Sequence, residues 1–264
     1  MAILTGVIRL VGKLGGIRNF RKLHDPNTYA SETGSIGKKV YKTSAKFKNC
    51  RLSNVEFGGC ALAVKGIRNG LYHVIPEMVD SKFTERLMKF ARELTLKDSE
   101  GVKGKRLLRF SAFRSTMQML YFNNKHEVIE SAKYFMRSLH SDTHIETTLD
   151  VNGLIIKMMK SPSGATHYRI FSHLSVVSDY CYSEFNRHYD PTNSLDGLNA
   201  FAYSELVKFN DPFTTQIKVV FPEGTVLGED CTVIHCVAIE FMEPNGIQGF
   251  RPIYGASLGM MDVF

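Results

Sequence analysis

The spacing of apolar positions changes part-way along this chain. Up to about residue 140 the clearest repeat is helical: Phe83, Leu87, Phe90, Ala91 and Leu94 recur every three or four residues, with Lys82, Arg86, Lys89 and Arg92 on other faces. This predicts an amphipathic helix capped by Asp80 or Ser81. Ahead of it, Ser53 and Glu56 have the spacing of a capping box. Ala61, Leu62, Ala63, Ile67 and Leu71 then give a helix with a small-residue face, closed by Pro76. Residues 127–139 read as a third helix. Beyond residue 145 the period becomes strand-like, in runs at 145–149, 154–159, 166–171, 176–182, 200–209, 214–221, 233–242 and 258–264. Turn residues such as Asn152-Gly153, Pro162-Ser163-Gly164, Pro222-Glu223-Gly224 and Pro244-Asn245-Gly246 separate them. Seven or eight such strands without intervening helices predict an antiparallel sandwich of immunoglobulin-like type. The chain lacks tryptophan, so the Cys/Trp/Cys core of an antibody domain is excluded.

The first residues follow neither rule. Glycines at 6, 12, 15 and 16 would each cost about 1 kcal/mol inside a helix, so short strands and turns suit this segment better. Asp25-Pro26-Asn27 is turn chemistry, and residues 16–32 therefore read as a β-hairpin. A hairpin of that size is not stable by itself and needs the rest of the chain, or a neighbour, to pack on. The fold class expected is α+β: a hairpin arm (1–35), a basic and mainly helical region (36–140), and an acidic antiparallel Ig-like β-sandwich (141–264).

Charge adds something the hydrophobic pattern does not. Residues 1–137 carry 26 Lys and Arg against 11 Asp and Glu, a net of +15, whereas residues 138–264 carry 7 against 15, a net of −8. The formal charge of +7 on 264 residues thus conceals a dipolar molecule. Such a chain is suited to dock its acidic end on a copy's basic end, or to lay its basic half on a polyanion. Arg9, Lys13 and Arg18 interrupt the first 20 residues, so no secretory h-region is readable, and no long uncharged apolar run suggests a membrane span. Synthesis and folding in the cytoplasm follow as the expectation, with an extracellular assembly or a virion as possible final locations. The five cysteines (Cys50, Cys60, Cys181, Cys231, Cys236) have no CxxC spacing, which points to buried free thiols rather than a disulfide framework or a zinc site.

Candidate chemistry is sparse. His140 and His144 flank Asp142 and would share one face of a helix in metal-binding register, but no third ligand is near and solvated loop residues are the simpler reading. Cys231, His235 and Cys236 suggest a thiol–imidazole pair, yet His235 and Cys236 are adjacent and would point to opposite faces of a strand. Gly12-Lys13-Leu14-Gly15-Gly16 lacks the ending a phosphate loop needs, and no GxSxG or HExxH occurs. No catalytic residue, metal ligand or cofactor is assigned. Lys38, Lys39, Lys42, Lys46, Lys48 and Arg51, interleaved with Tyr41 and Phe47, form a basic strip with the mixture expected for phosphates and stacked bases. No RNP, KH or helix-turn-helix signature accompanies it.

Four blocks carry a resemblance. GVIRLVGKLGGIRNFRK at the start, SNVEFGGCALAVKGIRNGL at 53–71, GATHYRIFSHLSVVSDYCYSEF at 164–185 and CVAIEFMEPNGIQGFRPIYGASLGMMDVF at 236–264 resemble, in the same order, uncharacterised Bacteroidota proteins that open with a GIIKLxGxxGxxxFYK-like hairpin. The resemblance implies the same architecture: hairpin, helical middle, Ig-like C-terminal sandwich. Asn19 and Arg21 stand where that group usually has Thr and Tyr, which makes this hairpin more cationic.

The reading that follows is a non-enzymatic structural protein that self-assembles head to tail into a filament, tube or particle. Its partners are copies of itself, engaged by Val7, Ile8, Leu10, Ile17, Arg18, Phe20, Arg21 and Lys22 of the hairpin, with strand addition to a sandwich edge as the mode. The alternative is a basic nucleic-acid-associated or virion structural protein that uses the strip at 38–51.

Overall fold

The computed structural model describes residues 2–4, 11–21, 27–32, 36–72, 79–118, 120, 122, 131–158, 161–246, 249–253 and 257–264. The chain divides into two compact units, Met1–Arg51 and Leu52–Phe264.

In the first unit four short strands pair antiparallel: β1 (Ala2–Leu4), β2 (Gly12–Leu14), β3 (Ile17–Arg21) and β4 (Thr28–Glu32), in the order β1-β4-β3-β2. The expected hairpin is present as β3 and β4, with Phe20 opposite Tyr29 and their rings stacked at 5.9 Å. It is the centre of a four-stranded sheet, because β2 turns into β3 through Gly15-Gly16, where Gly15 has φ +56. That value lies in the left-handed region open to glycine. The Asp25-Pro26 turn lies outside the described residues. A short helix α1 (Lys38–Thr43) follows, and Arg51 ties it down by donating from Nη1 to the Tyr41 and Ser44 carbonyls at 2.6 and 2.9 Å.

The helices of the second unit cover a sheet. Helix α2 (Lys48–Gly70) starts five residues before the expected capping box, so Ser53 and Glu56 lie inside it and cap nothing. Glu56 is buried instead, accepts the Gly104 N–H at 2.7 Å and has Arg106 at 3.8 Å. Of the expected small-residue face, Ala63, Ile67 and Leu71 are buried but Ala61 and Leu62 are exposed. The close approaches are made by glycines: a Cβ on Gly59 would meet the Tyr189 ring at 2.5 Å, and one on Gly66 would overlap Tyr180 Oη and Asp196. Helix α3 (Phe83–Lys97) buries Phe83, Leu87, Phe90, Ala91 and Leu94, as its spacing predicts. The N-cap of α3 is Lys82 rather than the expected Asp80 or Ser81; Asp80, two residues before it, accepts the Lys82 N–H on Oδ1 at 3.0 Å and binds Arg86 at 2.9 Å. Pro76 and residues 127–130 are outside the described residues. The rest of the expected third helix is a correction: Lys133–Phe135 is one 3₁₀ turn and Met136–His140 is strand β5. Helix α4 (Arg114–Met117) is a single turn.

The remaining strands are β6 (Glu146–Leu154), β7 (His167–Ser178), β8 (Tyr180–Ser183), β9 (His188–Pro191), β10 (Asn199–Tyr203), β11 (Val207–Lys208), β12 (Phe213–Val220), β13 (Cys231–Pro244), β14 (Phe250–Pro252) and β15 (Ser257–Val263). Asn152-Gly153 does not end a strand, since β6 continues to Leu154, and residues 155–158 of the expected run at 154–159 are not strand. The run at 166–171 joins residues 176–178 in β7, while 180–182 open β8. All described pairings are antiparallel: β10-β7-β13-β14 with β11 on β7 and β15 on β13, then β12-β6-β5, then the hairpin β8-β9. The protein is α+β, with a curled sheet; the pairing does not establish an immunoglobulin topology.

Strands β7 and β13 form the axis of this unit and are buried on both faces. One face, through Phe171, Val177, Ile234, Cys236 and Ala238, joins Ala63, Val64, Ile67, Leu87 and Leu94 of the helices in one core. The other face, through Tyr168, Ile170, Val237, Ile239 and Phe241, packs on Leu149, Val151 and Ile217 of β6 and β12. Helical and β-rich residues therefore share a core, with no break near residue 140.

Candidate assembly surfaces

The first unit is more densely cationic than the basic half of the sequence, while the second is close to neutral as a whole. Residues 1–51 hold 11 Lys and Arg against 2 Asp and Glu, a net of +9, and residues 52–264 hold 22 against 24, a net of −2. Of the proposed contact residues, Ile17, Arg18 and Arg21 are exposed and Phe20 is half-buried; Val7, Ile8, Leu10 and Lys22 lie outside the described residues. Alternation puts Arg18 and Phe20 on one face of β3, with the guanidinium carbon 5.8 Å from the ring centre, and Ile17 and Arg21 on the other. Arg21 donates to Thr28 Oγ1 at 3.2 Å across the hairpin.

The basic strip is also brought together. Lys38, Lys39 and Lys42 lie on α1, Lys46 in the 3₁₀ turn Ala45–Phe47, and Lys48 at the start of α2, all exposed. None of these five has a described carboxylate within ion-pair distance, whereas Arg51 serves as the internal tie already noted. Tyr41 and Phe47 pack on each other at 5.7 Å.

The two histidine constellations resolve into structure. His140 ends β5, sharing Nδ1 with Thr147 Oγ1 at 2.9 Å and Nε2 with Asp262 Oδ2 at 3.0 Å. His144 stands in the following turn at φ 58, its ring 4.8 Å from Phe264, so the two imidazoles share no helical face. Cys236 belongs to the helix-facing core, while His235 points the other way to Ser138 Oγ at 3.0 Å and Ser172 Oγ at 2.9 Å. This arrangement has no sequence signal, because the three residues come from β13, β5 and β7. Thr147, Ser172 and His235 form a polar layer: on β6, β7 and β13 each stands between residues of two separate apolar clusters. Burial, with His140 adding to it, pushes the His235 imidazole down to about 3, so it is neutral, donating through one nitrogen and accepting through the other. With its imidazole pushed down to about 3, His235 is a weak base, and its bonds to Ser138 and Ser172 satisfy the polar groups of this layer. Cys60, Cys231 and Cys236 are buried, Cys181 is partly so, and Cys50 is exposed, against the expectation of buried thiols throughout. Burial raises the thiols of Cys60, Cys231 and Cys236. Among the described residues no three His, Cys, Asp or Glu gather as metal ligands. No described helix is long and apolar enough to cross a membrane.

No protein-family model, curated protein or solved structure matches the chain.

Proposed function

We propose that this is a non-enzymatic structural protein whose copies assemble head to tail, the cationic first unit of one copy docking on the acidic β-rich part of the next. The observation that carries this reading is the distribution of charge: +9 on residues 1–51, which form one compact unit, and −8 on 138–264 within the other, whose residues 52–137 carry +6. Opposed charge on two different surfaces of one chain favours heterologous contacts, which propagate. Exposed Val11, Ile17, Ile36 and Val40 add apolar area to the same unit.

The test is sedimentation velocity across protein concentration at ~20 mM and ~1 M salt, where screening shortens the Debye length to ~3 Å. Species larger than a monomer are expected at low salt, reduced at high salt. Charge reversal at Lys38, Lys39 and Lys42 to Glu, which breaks no described contact, should weaken assembly, because each replaced cation no longer steers the encounter. A monomer under every condition overturns the reading.

A second reading has its own observation, the five exposed lysines without described carboxylate partners. If they bind nucleic acid, the affinity for single-stranded DNA should fall steeply with salt. Tight binding at ~150 mM salt by the native chain, lost in the Lys38/Lys39/Lys42 variant, would place this reading first.

A further inference from the structure

The hairpin β8-β9 carries a phenylalanine that its own fold does not use. Its register pairs Ser183 with His188, leaving Glu184, Phe185, Asn186 and Arg187 as the tip. That tip is braced at several points. The Arg187 N–H donates to the Ser183 carbonyl at 2.8 Å, with Arg187 at φ 57, and the Asn186 N–H donates to Ser183 Oγ at 3.1 Å. Asn186 Nδ2 donates to Asp190 Oδ2 at 2.7 Å, His188 Nε2 lies 2.9 Å from Asp190 Oδ1, and Lys105 binds Glu184. The base is fixed by the Tyr189 hydroxyl on the Arg106 carbonyl at 2.8 Å and the Tyr180 hydroxyl on Asp196 at 2.5 Å. None of these bonds involves the Phe185 side chain, which is 96% exposed. A braced loop that holds an aromatic ring in water is preorganised for insertion, because little freedom is left to lose on binding.

The same unit has a cleft of about 420 Å³ between the turns at 142–145 and 225–229. Ile145, Leu227, Val233 and Phe264 give it an apolar floor, and Val226, 80% exposed, stands at its edge. Asp142 and Glu229 are exposed on its lining. Its other titratable side chains are His144, which lies against Phe264, Arg114, whose Nη2 is occupied by the Cys231 carbonyl at 2.9 Å, and Cys231, whose thiol is raised by burial. The volume is within the range of small-molecule pockets and leaves room for an aromatic ring. Arg187, exposed two residues from Phe185, matches the carboxylates of Asp142 and Glu229.

We infer that Phe185 of one copy inserts into the cleft between residues 142–145 and 225–229 of the next copy, with Arg187 meeting Asp142 and Glu229. Knob and cleft are different surfaces, so the contact is heterologous and repeats from copy to copy. The inference rests on the assembly reading above but uses a surface separate from the cationic unit.

The experiment places the photo-reactive residue p-benzoylphenylalanine at position 185 of the full chain, mixes ¹⁴N- and ¹⁵N-labelled protein at low salt, irradiates, and maps cross-linked peptides by mass spectrometry. Expected are mixed-isotope cross-links to 142–145 or 225–229, and, separately, a rise of about tenfold or more in the half-assembly concentration of Phe185→Ser. Circular dichroism of that variant should be unchanged, since the removed ring touches water. Cross-links only elsewhere, or only within one copy, overturn the inference, as does unchanged assembly of Phe185→Ser while the native chain still assembles. A native chain that never associates sinks the assembly reading and the contact with it.

Discussion

Adjacent glycines on α2 make opposite predictions. A Cβ on Gly58 meets nothing within 4 Å, so Gly58→Ala should stabilise by roughly 0.5–1 kcal/mol through helix propensity. Gly59→Ala drives a methyl into a ring anchored to the Arg106 carbonyl and should cost about 1–3 kcal/mol, the two read as shifts of opposite sign in the urea midpoint. His235 gives a prediction in pH. Its ordinary value of 6.5 applies in the unfolded chain and about 3 in the fold, so the neutral form is required for folding. Stability is fully present above about 6.5 and falls as pH drops towards 3, at up to ~1.4 kcal/mol per pH unit. The groups facing the imidazole are Ser138, Ser172, His140 and, farther off, Asp262 and His173. Urea titrations between pH 4 and 6 should show a slope about one proton smaller for His235→Gln, which keeps a donor and an acceptor but does not titrate. Alternation along a strand was enough to put His235 and Cys236 on opposite faces from sequence. The serines that satisfy His235 were not readable, because Ser138 and Ser172 lie 97 and 63 residues away.

At the scale of elements, local pattern succeeded where one face meets water. Helix α3 alternates core and solvent, and all five of its periodic apolar residues are buried. Leu87→Ala should therefore cost about 2–5 kcal/mol, whereas Leu96→Ala on the exposed side of the same helix should change stability by no more than about 0.5 kcal/mol, both measured by urea denaturation. Local pattern failed where two faces are covered or where i, i+3 spacing is ambiguous. Ser53 and Glu56 fit a capping box, but Glu56 satisfies the Gly104 amide 48 residues away, a demand that leaves the spacing unchanged. Residues 136–139, MRSL, are too short to declare a strand by themselves; they become β5 by pairing with β6, with Met136 opposite Val151. The continuous apolar run of β13 was recognisable as a strand, but its length alone did not reveal that helices cover one side and β6 and β12 the other.

For the molecule as a whole, the charge split was visible in composition, whereas the division at residue 51, which falls inside the basic half, required coordinates. The hairpin at 16–32 was legible because glycine and turn chemistry act locally, while its place within a four-stranded sheet depends on β1 and β2, two short strands with little signal. The assembly surfaces were legible only in their charges: Phe185 is one aromatic among 18 phenylalanines until the hairpin isolates it in solvent. The pairing of β7 with β13 also has a consequence for synthesis. Their nearest partners, Ser178 and Cys231, are 53 residues apart, so β7 leaves the ribosome roughly 3–10 s before its partner at ~5–20 residues per second. For that interval one long edge of a nearly uncharged strand, HYRIFSHLSVVS, lacks its partner, although β10 and β11 have emerged to pair with the other, a state in which nascent chains pair with one another. Slower initiation spaces the chains on a message farther apart, so yield of folded protein should rise when expression is throttled, and a chaperone that shields extended apolar segments should be found on nascent chains between residues 178 and 231.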